Sequence, residues 1–164
     1  MRTLLLMRHA KASWDQAGED SKRSLNKRGE SAASRMGRWL SLQDAEPDVV
    51  LSSTAVRAQK TAELVISVLD SSPKLRVFDG LYHPDTDAIL DSLACHGEEA
   101  DRVLLVCHNP GISEAVSELT GKHTGMPTAA LAVIEFDINS WSDVLLERQG
   151  TLAHLWQVKE LPEE

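Results

Sequence analysis

Apolar positions follow two rhythms along this chain. Short unbroken runs at residues 3–7, 48–52 and 102–107 are too brief for helices and read as strands buried on both faces, and residues 75–78 predict a smaller one. Between them the spacing changes to three and four. Ala32, Met36, Trp39 and Leu40 share one face of a helix that Asn26 caps and that ends before Pro47. Ser53 or Thr54 is expected to cap a second helix, with Leu64, Val65, Val68 and Leu69 on its stripe and Pro73 beyond its end. A third starts at about Asp85, turns Ile89, Leu90 and Leu93 inward and closes at Gly97. Asn109 caps a fourth, with Pro110 in its first position.

Three further runs, 131–136, 144–148 and 152–158, read as strands, and turn signals at Asn139-Ser140 and Gly150 favour antiparallel pairing there. Residues 10–25 are polar and aperiodic, a long loop of the kind that usually carries function. The alternation predicts one domain over residues 1–164. It is an α/β class, three-layered sandwich whose sheet is mainly parallel, with antiparallel strands at the C-terminal end.

Composition narrows the function classes. The chain has 164 residues, 42% apolar and 26% charged, which is ordinary for a globular domain and excludes a disordered or fibrous one. No apolar run approaches the roughly 18 residues of a membrane span, and the opening apolar stretch ends at Arg8 and His9, too soon for a secretory signal. With 17 Lys and Arg against 25 Asp and Glu, the net charge is −8 and the pI about 5.2. That balance argues against nucleic acid or an anionic membrane as the main partner, so any phosphate site must be a local positive pocket. The expected setting is cytoplasmic. Cys95 and Cys107 form neither a disulfide framework nor a zinc motif.

Candidate chemistry gathers at strand exits, where ligands sit in open α/β sheets. Arg8-His9 follows the first strand, Ser52-Ser53-Thr54-Ala55-Val56-Arg57 the second, and His108-Asn109-Pro110-Gly111 the fourth. Two of these exits run into helix N-termini, whose free N–H groups favour anions. Arg57, in a first helical turn, opposes the dipole unless an anion neutralises it. Two arginines and two histidines at one sheet edge describe a phosphate pocket.

These residues resemble a family. Leu4 to Lys11 (LLLMRHAK) is similar to the Arg-His-Gly signature of the histidine phosphatase superfamily, which includes the phosphoglycerate mutases. Residues 25–30 (LNKRGE), 51–62 (LSSTAVRAQKTA) and 106–111 (VCHNPG) resemble its later landmarks in order, and the Arg-His-Ala-Lys-x-Ser-Trp form resembles the SixA-type phosphohistidine phosphatase branch. The resemblance implies a phosphoglycerate mutase-like fold and attack on phosphorus by His9, giving a phosphohistidine that water hydrolyses. Arg8, Arg57 and His108 would bind the phosphoryl oxygens, and Arg23 is a further substrate-binding candidate. No metal or other cofactor is required. The implied partner is a phosphohistidine-bearing protein of a phosphorelay or phosphotransfer system; phosphate and small phosphoesters are the simpler ligands.

Departures from the family pattern carry information. Ala10 replaces the usual Gly, Lys11 stands where many members have Glu, and Asp15 stands where mutases tend to have an Asn, so Asp15 receives no binding role. The stretch Asp79 to Asp87 holds no Glu to serve as general acid; His83, Asp85 and Asp87 are its possible substitutes. Other phosphatase chemistries lack their motifs: neither cysteine has an Arg at Cys-x5-Arg spacing, and neither a P-loop nor HExxH occurs. A small-molecule phosphomonoesterase and a non-catalytic phosphate-binding module stand as alternatives.

Overall fold

The computed structural model describes residues 1–14 and 19–162. Among the described residues one mixed sheet carries six strands: β1 (Arg2–Arg8), β2 (Val49–Ser53), β3 (Lys74–Phe78), β4 (Arg102–Cys107), β5 (Leu131–Phe136) and β6 (Thr151–Trp156). Their order is β3-β2-β4-β1-β5-β6. The first four named run parallel, β5 pairs antiparallel with β1, and β6 antiparallel with β5. Helices α1 (Lys27–Leu42) and α2 (Val56–Ser67) cover one face; α3 (Thr86–His96) and α4 (Gly111–Thr120) cover the other.

Side-chain alternation along the strands explains the three layers. Leu5 and Met7 of β1, Val50 of β2 and Leu104 and Val106 of β4 pack with Ala33, Met36, Leu40, Ala58 and Val65 from α1 and α2. Their neighbours Leu4, Leu6, Leu51, Val103 and Leu105 face Ile89, Leu93, Ile112 and Val116 of α3 and α4. Central strands are therefore apolar on both faces, each buried Leu or Val contributing about 1.5–3 kcal/mol. No helix among the described residues is long and apolar enough to cross a membrane.

Several local expectations are corrected. Residues 144–148 are no strand: a 3-10 helix spans Trp141–Leu145. Trp141 and Val144, three apart, are both buried, while Leu146 is exposed, so burial follows a helical repeat rather than alternation. The Trp141 indole N–H also donates to the Ala100 carbonyl at 2.7 Å. Ala55, not Ser53 or Thr54, occupies the N-cap of α2, because β2 extends through Ser53; the Ser53 hydroxyl still accepts from the Ala55 N–H at 3.2 Å. At α4 the N-cap is Pro110, after a cis Asn109–Pro110 bond, and Asn109 reaches over it to accept from the Ser113 N–H at 3.0 Å. Gly97 ends α3 with φ −68°, not left-handed; a Cβ there would meet the Trp141 ring at 2.5 Å. The 10–25 loop is not structureless. Ala12 bridges Leu25, the Ser13 N–H donates to the Ser24 carbonyl at 2.8 Å, and a 3-10 turn forms at Asp20–Lys22.

Gly29 ties that loop to α1. The Asn26 side chain caps α1 on the Gly29 N–H at 2.8 Å, while the Asn26 N–H donates to the Lys11 carbonyl at 3.0 Å. A Cβ on Gly29 would lie 2.1 Å from that carbonyl oxygen, so only glycine admits this approach. Gly29→Ala is therefore expected to destabilise the fold by roughly 1–3 kcal/mol and to displace the segment that follows His9. Denaturant titration with turnover measurements would show a folded protein with activity down by about tenfold or more; a wild-type profile in both would contradict this reading of Gly29.

Candidate active site

The sheet brings the three strand exits together. β1 and β4 are neighbours in parallel register, Arg8 opposite Cys107, and the His9 N–H extends the ladder to the Cys107 carbonyl at 3.1 Å. Arg8 and His9 are held from the other side too, their carbonyls both accepting from the Ala129 N–H. β2 lies on the far side of β4, so α2 delivers Arg57 to the same edge. An open cavity of about 400 Å³ results, lined by Arg8, His9, Arg23, Arg57 and His108 together with Lys11 and Trp14. All five residues that the sequence singles out for phosphate thus meet in one place.

The His9 ring has a defined tautomer. Its Nδ1 lies 2.7 Å from the Ala10 carbonyl oxygen, which can only accept, so Nδ1 carries the hydrogen. The lone pair is then on Nε2, where the Arg57 Nε–H donates at 3.3 Å. Burial, chiefly, with the Arg57, Arg8 and Arg23 guanidiniums, pushes the His9 pKa down to about 4, although the Ala10 carbonyl pulls it up. His108 lies 5.1 Å from His9, ring centre to ring centre. Its Nε2 is 2.6 Å from the Ser53 hydroxyl; with a proton on His108 Nδ1, Ser53 donates to Nε2 while accepting from Ala55. Burial first, then His9 and Arg57, push His108 down to about 3.

Positive charge here is concentrated and under-paired. Of seven buried side-chain nitrogen and oxygen atoms without a hydrogen-bond partner among the described residues, four belong to this cavity: Arg8 Nε, Arg23 Nε and Nη1, and His108 Nδ1, and of these Arg23 Nε has an ion-pair contact with Asp20 in place of a hydrogen bond. Leaving such groups unpaired is costly, and their convergence marks a place for an anion. Arg57 is neutralised differently. Its Nη1 and Nη2 donate to the Asp20 carbonyl at 2.8 Å and to Asp20 Oδ2 at 3.0 Å, and the Tyr82 hydroxyl donates to the same carboxylate oxygen. Asp20 Oδ1 lies 3.2 Å from Arg23 Nε, whose guanidinium stacks on Trp14 at 3.9 Å. The Tyr82 hydroxyl, then Arg57 and Arg23, hold the Asp20 carboxyl below its ordinary range.

Sequence reasoning missed Asp20, Tyr82 and Ser53. Asp20 sits in an aperiodic loop and Ser53 reads there as a cap, while Tyr82, the chain's one tyrosine, was the available signal. Among the three acid substitutes, Asp85 caps α3 through the Ala88 N–H at 2.8 Å, and Asp87 pairs with Arg148 at 2.8 Å. His83 packs its ring edge-on against Tyr82 and is exposed. Asp15 lies outside the described residues. Cys107 is fully buried, and burial pushes its thiol up to about 12, far from a nucleophilic thiolate.

With fold and site in view, the chain belongs to the histidine phosphatase superfamily: its branch 1 matches residues 4–81, and close relatives extend the match over most of the chain. Phosphohistidine phosphatase SixA of Escherichia coli K12 is 32% identical over 139 residues, covering 82% of this chain and 85% of that one. An uncharacterized protein of Mycobacterium leprae is 32% identical over 161 residues, covering 90% and 97%. Among solved structures, the protein histidine phosphatase SixA complexed with tungstate aligns with a TM-score of 0.82 at 27% identity, over 98% of this chain and 99% of that one. The architecture is the phosphoglycerate mutase-like fold.

The depressed histidines give a pH prediction with a definite sign. An unfolded imidazole titrates near ~6.5, the folded rings at about 4 and about 3, so as pH falls below ~6.5 the unfolded state takes up protons first. Both rings should remain neutral in the folded protein at about pH 5.5, and stability should fall with pH from ~6.5 towards 4. Nitrogen NMR of the free protein would show this directly; a midpoint near ~6.5 for His9 would contradict the buried, cation-flanked ring.

Proposed function

We propose that this chain is a phosphohistidine phosphatase that works through a covalent phosphohistidine on His9. The observation that carries this reading is the set of unpaired cationic and neutral donors, on Arg8, Arg23 and His108, around a neutral His9 whose lone pair is held on Nε2. Likeness to SixA proteins supports the substrate class.

The steps follow from the groups present. The phosphoryl group enters with its oxygens on Arg8, Arg57 and the Nδ1–H of His108, and Arg57 turns from His9 Nε2 to meet them. His9 Nε2 attacks phosphorus and a new P–N bond forms. The substrate's own P–N bond breaks, its electron pair going to the departing imidazole, which leaves neutral when its far nitrogen carries a proton. Water then attacks the phosphoryl group, the P–Nε2 bond breaks, and His9 recovers its lone pair while inorganic phosphate takes the water's proton. Throughout, Nδ1–H stays on the Ala10 carbonyl.

Side-chain cations do the work that a metal does in other phosphatases, so exhaustive chelation should leave the rate unchanged, and tungstate or vanadate should inhibit. His9→Ala should abolish turnover and acid-labile labelling of the protein. Arg8→Ala or Arg57→Ala should each slow transfer by about 10²–10³. Near-wild-type turnover by His9→Ala, or activity lost to EDTA and restored by a divalent ion, would overturn the assignment.

Substrate preference follows from the missing acid. Among the described residues lining the cavity none is Asp or Glu, and Asp20 at its rim is held ionised. An alkoxide needs a proton donor to leave; an imidazole, with a conjugate-acid pKa near ~6.5, does not. Turnover should therefore rank phosphohistidine protein above p-nitrophenyl phosphate and that above a sugar phosphate. Rapid sugar-phosphate hydrolysis lost in His83→Ala would instead make the protein a small-molecule phosphomonoesterase.

A further inference from the structure

Beside the catalytic cavity lies a second, larger hollow of about 590 Å³, and the two share Lys11 and Thr128 in their walls. Its charge is one-sided: Lys11, Lys27, Arg28, Arg35 and Lys159 line it, and no carboxylate does among the described residues. In a chain of net charge −8 this is a marked segregation. Arg35 is engaged, donating to the carbonyls of Leu161 and Pro162 at 2.9 and 3.0 Å. Lys11, Lys27, Arg28 and Lys159 are exposed and enter none of the ion pairs among the described residues.

Their placement is also unfavourable without a ligand. Lys27 and Arg28 occupy the first turn of α1, where the helix dipole already supplies positive charge and disfavours cations. Lys11 is pinned to the same turn by the Asn26–Lys11 hydrogen bond and the Gly29 contact, so the link between hollow and cavity is set by backbone. The cavity meets a phosphoryl group with buried, converging guanidiniums. The hollow instead spreads solvated cations on flexible stems along an open trough, which matches several carboxylates on a surface better than one compact anion.

Resting on the phosphohistidine reading of the cavity, we propose that this trough docks acidic side chains that flank the phosphohistidine of the substrate protein. It acts as a specificity determinant separate from the groups that transfer the phosphoryl.

The test uses two synthetic peptides, each centred on phosphohistidine, one flanked by Asp and Glu and the other by Ser and Ala, with free phosphohistidine as control. The wild-type protein at low salt should cleave the acidic peptide with a kcat/KM about tenfold or more above the neutral one, through KM, and about 0.5 M salt should remove the difference. In the variant Lys27→Glu/Arg28→Glu/Lys159→Glu the acidic preference should vanish while free phosphohistidine is turned over as before. Equal kcat/KM for both peptides with the wild-type protein, or a preference that survives in the variant, would overturn the proposal. A hexose bisphosphate cleaved far faster than a monophosphate, with that preference lost in the variant and the peptides equal, would also overturn it, giving the trough to a second phosphate. Turnover of neither peptide nor free phosphohistidine would overturn the phosphohistidine reading itself, and the docking with it.

Discussion

One hydrogen bond, from His9 Nδ1 to the Ala10 carbonyl at 2.7 Å, organises the chemistry of this protein. It fixes the tautomer, so the only lone pair of the ring is on Nε2 and faces the cations. In the proposed mechanism it would also keep a hydrogen on Nδ1 of the Nε2-phosphorylated ring, so that His9 could leave phosphorus again as a neutral ring, and the same bond would serve attack and departure. The surrounding backbone exists to hold it: the His9 N–H on β4, the His9 carbonyl on Ala129, and the Ala10 N–H on the Thr61 hydroxyl at 2.9 Å, which itself donates to the Arg57 carbonyl. His9 and Arg57 are therefore positioned relative to each other through one buried threonine.

Electrostatics complete the arrangement. Burying His9 and His108 among guanidiniums keeps both rings neutral, which would preserve the proposed nucleophile at acid pH at a cost in native stability. Burial first, and then the Arg57 guanidinium, depress the pKa of Arg8, and the two like charges repel each other across the cavity. Asp20, with Tyr82 behind it, meets part of that repulsion by holding Arg57. Under the proposed function, a phosphoryl group competing for Arg57 would have to displace contacts that Asp20 makes, and this carboxylate would temper ground-state binding of the anion.

The parts of this site legible in the sequence are those carried by strands. Apolar runs ending in Arg8-His9 and Cys107-His108 can only place those polar residues at the sheet edge, and Arg57 follows β2 at fixed helical distance. Antiparallel pairing at the C-terminal end was legible in the same way, from the turn signals before and after. What periodicity could not supply is tertiary: Asp20 reaches Arg57 from 37 positions away, and Tyr82 reaches Asp20 from 62. The expected strand over 144–148 failed because the burial of Trp141, fixed by its bond to Ala100, outranks local β propensity. The cap of α2 slipped by one residue or two for a related reason, strand pairing through Ser53 deciding where the helix starts, while that of α4 falls one residue later, at Pro110.

Phosphorylation of an imidazole leaves a record of which nitrogen attacked, and in the proposed mechanism the Ala10 bond would permit only one. The most direct measurement is a quenched single turnover with phosphohistidine substrate, followed under alkaline conditions by phosphorus NMR for the isomer and mass spectrometry for the position. The Nε2-phosphorylated isomer on His9 is the expected product. Phosphate on Nδ1 of His9, on His108, or on no residue of the protein during turnover would contradict the account.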